Sequence, residues 1–200
     1  MQVNRLSVIL GLAFLILSGS KASVAADFDK GLRAYDAGDY NAALLEWVPL
    51  AEQGNLDAQL KLASIFRSHQ GMKNGKKAVK WFTKAADQGH MKSHWRLGDM
   101  YKRGDGVLVS YKTAIKWYTK AAQQGDAMAQ RRLGGMYQDG KGVLTDNIRA
   151  YMWFILFDYN AARASASSQT KRIAKEMDSS EINKAQEMAS ICLESGYTDC

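Results

Sequence analysis

The sequence predicts an all-α protein, an α-solenoid of stacked antiparallel helix pairs with a C-terminal helical cap. Three observations carry this expectation. Leu97-Gly98-Asp99-Met100-Tyr101 returns 36 residues later as Leu133-Gly134-Gly135-Met136-Tyr137. At the same spacing, the ten residues from Lys80-Trp81-Phe82 to Gln88-Gly89 return from Lys116-Trp117-Tyr118 to Gln124-Gly125. Weaker copies flank these: Ala51 to Gly54 stands 35 residues before Ala86 to Gly89, Leu62 to Phe66 stands 35 before Leu97, and Ala150 to Phe154 falls 36 after Ala114 to Tyr118. A period of this length is one helix-turn-helix unit, and such units bury their apolar faces only by stacking on one another.

The chain opens with Arg5, an apolar run from Leu6 to Leu17 broken only by Ser7 and Gly11, and the small-residue stretch Ala22 to Ala26. Such a run is short for a bilayer span, and Val24-Ala25-Ala26 satisfies the small-x-small rule. Residues 1–26 therefore read as a cleavable signal peptide, with an uncleaved anchor as the alternative. The mature chain is expected to begin near Asp27 and to be exported, periplasmic or secreted. Loss of Arg5 and Lys21 lowers the formal charge from +7 to +5, a basic balance within the range of soluble domains. No cysteine follows the apolar run to accept a lipid, and no later stretch approaches membrane length.

Residues 27–162 read as the solenoid, about four units, of which 73–108 and 109–144 are the most regular. The first unit, Tyr35 to Gly54, departs from the pattern with Gly38-Asp39-Tyr40 and Pro49, and the second carries Ser68-His69-Gln70-Gly71 where later units have a glycine loop. Both read as divergent caps. Leu97, Met100 and Tyr101 stand at i, i+3 and i+4, one helical stripe. A glycine within that helix costs about 1 kcal/mol against alanine, so the recurrence of Gly98 at Gly134 predicts a partner helix crossing closely there. On the second helix Ala114, Trp117, Ala121 and Ala122 are expected to face the neighbouring unit. The Gln-Gly pair ends it, and Asp57 and Asp126 favour the first turn of the next.

Residues 163–200 leave the repeat. Gln169 to Met177 and Ser180 to Leu193 read as two capping helices, with Asp178 and Glu181 spaced for a capping box. Lys112, Lys116 and Lys120 become Ile148, Met152 and Leu156 one period later. The last unit's apolar flank therefore needs a cover, for which residues 170–197 are placed. Cys192 and Cys200, the only cysteines, are expected to pair as a staple for the tail.

Together with Gly-x-Gly-Val at Gly104 to Val107 and Gly140 to Val143, these phrases resemble the Sel-one-like repeat family, a relative of the tetratricopeptide repeats, over roughly residues 28–160. The resemblance implies an adaptor, since members act in complex assembly, bacterial envelope processes and host interaction. The expected function is a non-enzymatic exported scaffold holding a protein partner in the bacterial envelope or from a host.

Several groups compete as the binding site. Lys76, Lys80, Lys84 and Lys112, Lys116, Lys120 form stripes on equivalent helices, read either as an anion site for lipopolysaccharide phosphates, acidic glycan or an acidic protein face, or as a solvated flank. Trp95 and Arg96, with Lys61, Arg131 and Arg132, lie on first helices, which usually line the concave surface of such stacks. They are the first choice for a partner face. The other recurring aromatics, Trp81, Trp117, Trp153, Tyr101, Tyr118 and Tyr137, read as inter-helix core rather than a sugar platform. His90 and His94 have a chelating spacing, but Met91 stands where H-E-x-x-H requires a glutamate, and a zinc site needs at least one more ligand. His94 also stands where Gln59 and Gln130 stand in neighbouring units, which reads as repeat scaffolding. No metal, cofactor or nucleic-acid partner is expected.

Catalytic signals are few. Ser168-Gln169-Thr170-Lys171 matches S-x-x-K, without S-D-N or K-T-G. Cysteine-rich members of the family act on penicillin-like compounds, but the cysteine pair per repeat that they carry is missing from these units. A β-lactam or peptidoglycan hydrolase is thus the weaker alternative to the adaptor, as is a binder of anionic glycan or lipopolysaccharide. No catalytic residue is assigned.

Overall fold

The computed structural model describes residues 26–69, 71–162 and 165–200. Except for Ala26, the leader read at residues 1–26 lies outside this set. The described residues form ten helices: α1 (Phe28–Asp36), α2 (Tyr40–Glu52), α3 (Leu56–Ser68), α4 (Gly75–Asp87), α5 (Met91–Arg103), α6 (Tyr111–Ala122), α7 (Ala127–Asp139), α8 (Asn147–Asn160), α9 (Ser168–Ala174) and α10 (Ser179–Glu194). Each helix from α1 to α8 packs on the next along the chain, and α10 returns to pack on α8. That is the stacked, nearly one-dimensional contact pattern of an α-solenoid. Packing is closest within α3–α4, α5–α6 and α7–α8, so each unit runs from a first helix to a second. Blocks 73–108 and 109–144 each contain a second helix and the first helix that follows it.

The helix starts are set by side chains that accept a hydrogen bond from the open first turn. Asn55, His90 and Asp126 cap the first helices, and Asn74, Ser110 and Asp146 cap the second helices. Asp126 thus stands at the cap itself rather than inside the first turn. Gly89 and Gly125 follow the ends of α4 and α6 with φ of 82° each, left-handed geometry that side-chain-bearing residues rarely adopt. Asp178 and Glu181 close the capping box at the start of α10.

Gly98 and Gly134 explain the repeated phrase. A Cβ on Gly98 would lie 2.5 Å from the Tyr118 ring, and one on Gly134 would lie 2.6 Å from the Phe154 ring. The close approach comes from the aromatic ring of the paired second helix, seated directly on glycine. Tyr118 and Phe154 are accordingly buried, at 0% and 1% exposure. Trp117, expected in the core beside Ala114, Ala121 and Ala122, is only partly buried, whereas those three alanines have no exposure. The reason is angular: adjacent residues on a helix point about 100° apart, and Tyr118 occupies the direction facing α5.

In the last unit Met152 and Leu156 are buried, in one cluster with Ile173 of α9 and with Ala185, Ala189 and Cys192 of α10. Positions held by exposed lysines one period earlier are covered here by the C-terminal helices. Cys192 and Cys200 are joined by a disulfide, with Cα atoms 4.8 Å apart. The tail is also held by the Tyr197 hydroxyl, which donates to Asn160 Oδ1 at 2.7 Å.

Candidate partner-binding face

The first helices α3, α5 and α7 place Lys61, Arg96 and Arg132 in one register row and Trp95 and Arg131 in the next. None of these side chains hangs free. Lys61 Nζ lies 5.1 Å from the centre of the Tyr35 ring and 5.7 Å from that of Trp47. The Arg96 guanidinium stacks on Trp95 at 3.9 Å, and that of Arg131 lies 5.8 Å from the Phe157 ring. Burial pushes Arg96 below the ordinary guanidinium range, with Arg67 of the preceding first helix adding to the shift. Cations on a planar ring keep their donors available while the ring fixes their position.

Arg132 is fixed differently. Its Nε lies 3.3 Å from Asp99 Oδ1 as an ion pair without hydrogen-bond geometry, and Arg103 of α5 approaches the other carboxylate oxygen at 3.8 Å. The Tyr118 hydroxyl donates to Asp99 at 2.6 Å. Burial, then the bond to Asp99, pushes the Tyr118 hydroxyl well above its usual range, so it remains a donor. Asp99 therefore ties α5, α6 and α7 together and orients Arg132.

Arg131 and Arg132 line a depression of about 240 Å³ together with Lys102, Lys141, Gln169 and Arg172. Lys61, Trp95 and Arg96 do not reach it. The sequence reading missed Lys102, Lys141 and Arg172. Arg172 comes from α9, and nothing in its local sequence shows that a capping helix returns to the repeat face. A comparable depression of about 350 Å³ lies one unit earlier, lined by Arg67, Lys73, Arg103 and Asp105. There Asp105 neutralises Arg103 at 3.1 Å.

The six striped lysines stand on the second helices α4 and α6. Lys80, Lys84 and Lys120 lie over the Trp81 and Trp117 rings of their own helices, at 4.6, 5.6 and 4.8 Å, and Lys80 pairs with Glu52 at 3.6 Å. Lys76, Lys112 and Lys116 are exposed.

His90 caps α5 through Nδ1, which accepts from the Ser93 amide at 3.2 Å. His94 is buried, with its ring centre 5.8 Å from that of Trp117. Gln59 and Gln130, its counterparts, sew helix ends together. Gln59 donates to Ala51 O at 3.0 Å and accepts from Gln88 at 2.8 Å. Gln130 donates to Ala122 O at 3.3 Å and accepts from Asn160 at 3.0 Å. His94 Nδ1 is buried without a hydrogen-bond partner, so the ladder is broken in the central unit. Burial, then Lys120, hold the His94 imidazole below its ordinary pKa. Among the described residues no group of three His, Cys, Asp or Glu side chains is placed to hold a metal. Ser168 Oγ of the S-x-x-K match donates to Gln169 Oε1 at 3.2 Å.

The Sel1 repeat pattern matches residues 56–90, 92–126 and 127–156, half of the chain and each span one helix pair. The chain belongs to the Sel1 repeat family. Sel1 repeats are typically non-catalytic scaffolds that mediate protein–protein interaction. The crystal structure of c5321, a protective antigen present in uropathogenic Escherichia coli strains and displaying an SLR fold, is similar with a TM-score of 0.71. It is 28% identical over 82% of this chain, which spans 38% of that protein's length. A Sel1 repeat protein from Oxalobacter formigenes is 34% identical, with a TM-score of 0.54, over 56% of this chain and 87% of its own. No described helix of this Sel1 repeat protein is long and apolar enough to cross a membrane.

Proposed function

We propose that this Sel1 repeat protein is an exported, non-enzymatic adaptor that holds a protein partner on its first-helix face, in the bacterial envelope or from a host. The observation that carries the reading is the convergence of Arg131, Arg132, Lys102 and Arg172 on one depression, with Asp99 orienting Arg132. Convergent, ring-stacked or ion-paired arginines supply donors already fixed in place, which lowers the entropy lost on binding. Export is supported by the apolar leader pattern at residues 1–26 and by the Cys192–Cys200 bond, which persists in oxidising compartments. The likeness to a protective antigen agrees with it.

Affinity capture from envelope and culture fractions tests the adaptor reading, comparing the wild-type chain with a variant in which Trp95, Arg96, Arg131 and Arg132 are alanine. One saturable protein partner, lost with the variant, is the expected result. Equal capture by both chains removes this face as the binding site. N-terminal sequencing of the expressed protein tests export, with Asp27 as the expected first residue.

A further inference from the structure

Asp99 of α5 and Gly135 of α7 hold the same register position, 36 residues apart. Asp99 fills its space with a carboxylate that neutralises Arg132 and Arg103. A Cβ built on Gly135 meets nothing within 4 Å, and Gly135 itself lines the 240 Å³ depression. The repeat thus omits this anion where the flanking cations are most numerous: Lys102 from α5, Arg131 from α7, Lys141 from the following loop and Arg172 from α9, beside the Arg132 that Asp99 already pairs. Asp139 is the single acid in the lining, and its Oδ2 already accepts from Lys141 Nζ at 2.7 Å. Gln138 Oε1 accepts from Arg172 at 2.9 Å, holding that guanidinium over the opening. Burial, then Arg132, push the Lys102 ammonium below its ordinary range, with Asp99 and Asp139 opposing the shift.

We propose that the depression at Gly135 is a carboxylate subsite, in which a Glu or Asp side chain from an acidic segment of the protein partner occupies the space that Asp99 fills one repeat earlier. The inference rests on the adaptor reading of this face and names the chemistry of the partner. Charge complementarity selects an acidic peptide, and fixed guanidinium donors suit the planar, two-oxygen geometry of a carboxylate.

The test titrates the full chain with a fluorescent hexapeptide rich in glutamate and with its glutamine counterpart, read by anisotropy at low and high salt. Saturable binding of the glutamate peptide alone, weakened by salt, is expected. Arg172→Gln should weaken it by about tenfold, the scale of one charge-assisted contact. Gly135→Asp, which puts the chain's own carboxylate into the space, should abolish binding, while Gly135→Ala should leave it within about twofold. A melting curve for each variant separates loss of the site from loss of the fold. Equal binding of the two peptides, or unchanged binding in Gly135→Asp, overturns the proposal. Inorganic phosphate that binds at this site when the glutamate peptide does not also overturns it, in favour of a free anion. If the peptide fails but partner capture still depends on Arg131 and Arg132, the adaptor reading stands and the carboxylate subsite falls.

Discussion

The flank of α4 and α6 and the face formed by α5, α7 and α9 are both rich in cations, but their surroundings differ. On the flank, Lys80, Lys84 and Lys120 rest on tryptophans of their own helices, with Lys80 and Lys120 exposed. On the first-helix face Arg132 is clamped by Asp99, Arg131 lies over Phe157, and both meet Lys102 and Arg172 around one space. An exposed stripe of charge is screened almost individually by water and salt, whereas cations around a concavity act on the same occupant. Convergence therefore distinguishes a binding face from a solvated one better than the number of charges does.

The largest test of this contrast is charge reversal at the depression. Arg131→Glu with Arg172→Glu should weaken retention of the partner by about 100-fold in quantitative capture, two charge-assisted contacts at about tenfold each. Next is the clamp. Asp99→Ala should cost about 2 kcal/mol in chemical denaturation, because it strands the buried Tyr118 hydroxyl and releases Arg132. Adding Tyr118→Phe should recover part of that loss, and a double-mutant cycle without coupling would mean that the clamp contributes nothing.

His94 gives a smaller effect. Its imidazole is held below the ordinary value of 6.5 first by burial, with Lys120 and His90 also disfavouring its charge and Asp87 favouring it. The unfolded chain then binds the proton more readily than the folded one, so stability is full above about pH 6.5 and falls as pH drops through it. His94→Gln should flatten that slope. By pairing with Gln124 as Gln59 pairs with Gln88, it should add about 1 kcal/mol, measured as the denaturation midpoint at pH 7.5 and 5.5. The smallest effect is predicted on the flank. Lys80→Glu with Lys116→Glu should change partner retention by less than about twofold, as expected of exposed charges outside an interface. A large loss there would move the binding site to the second helices.

Much of this molecule is legible in its sequence because the repeat encodes stacking locally. Glycine under a ring, a capping side chain at each start and Gln-Gly at the second-helix ends recur at fixed spacing. Together they determine helix number, pairing and the need to cover Met152 and Leu156. Of the candidate face, Arg131 and Arg132 are legible from their place on a first helix, while Trp95, Arg96 and Lys61 are identified on the same grounds and lie outside the depression. The burial of Tyr118 in place of Trp117 follows from helix phase, which repeat spacing alone does not give.

Only the tertiary structure decided which cations meet. Lys102, Arg132 and Arg172 are separated by 30 and 40 residues and converge because α9, packed on α8, brings Arg172 to Gln138 of α7. The empty space at Gly135 is likewise a property of three helices at once. Spacing along one chain fixes the period of stacking, since each unit contacts its neighbours. A site assembled from two units and a returning cap depends on packing geometry that no single period contains.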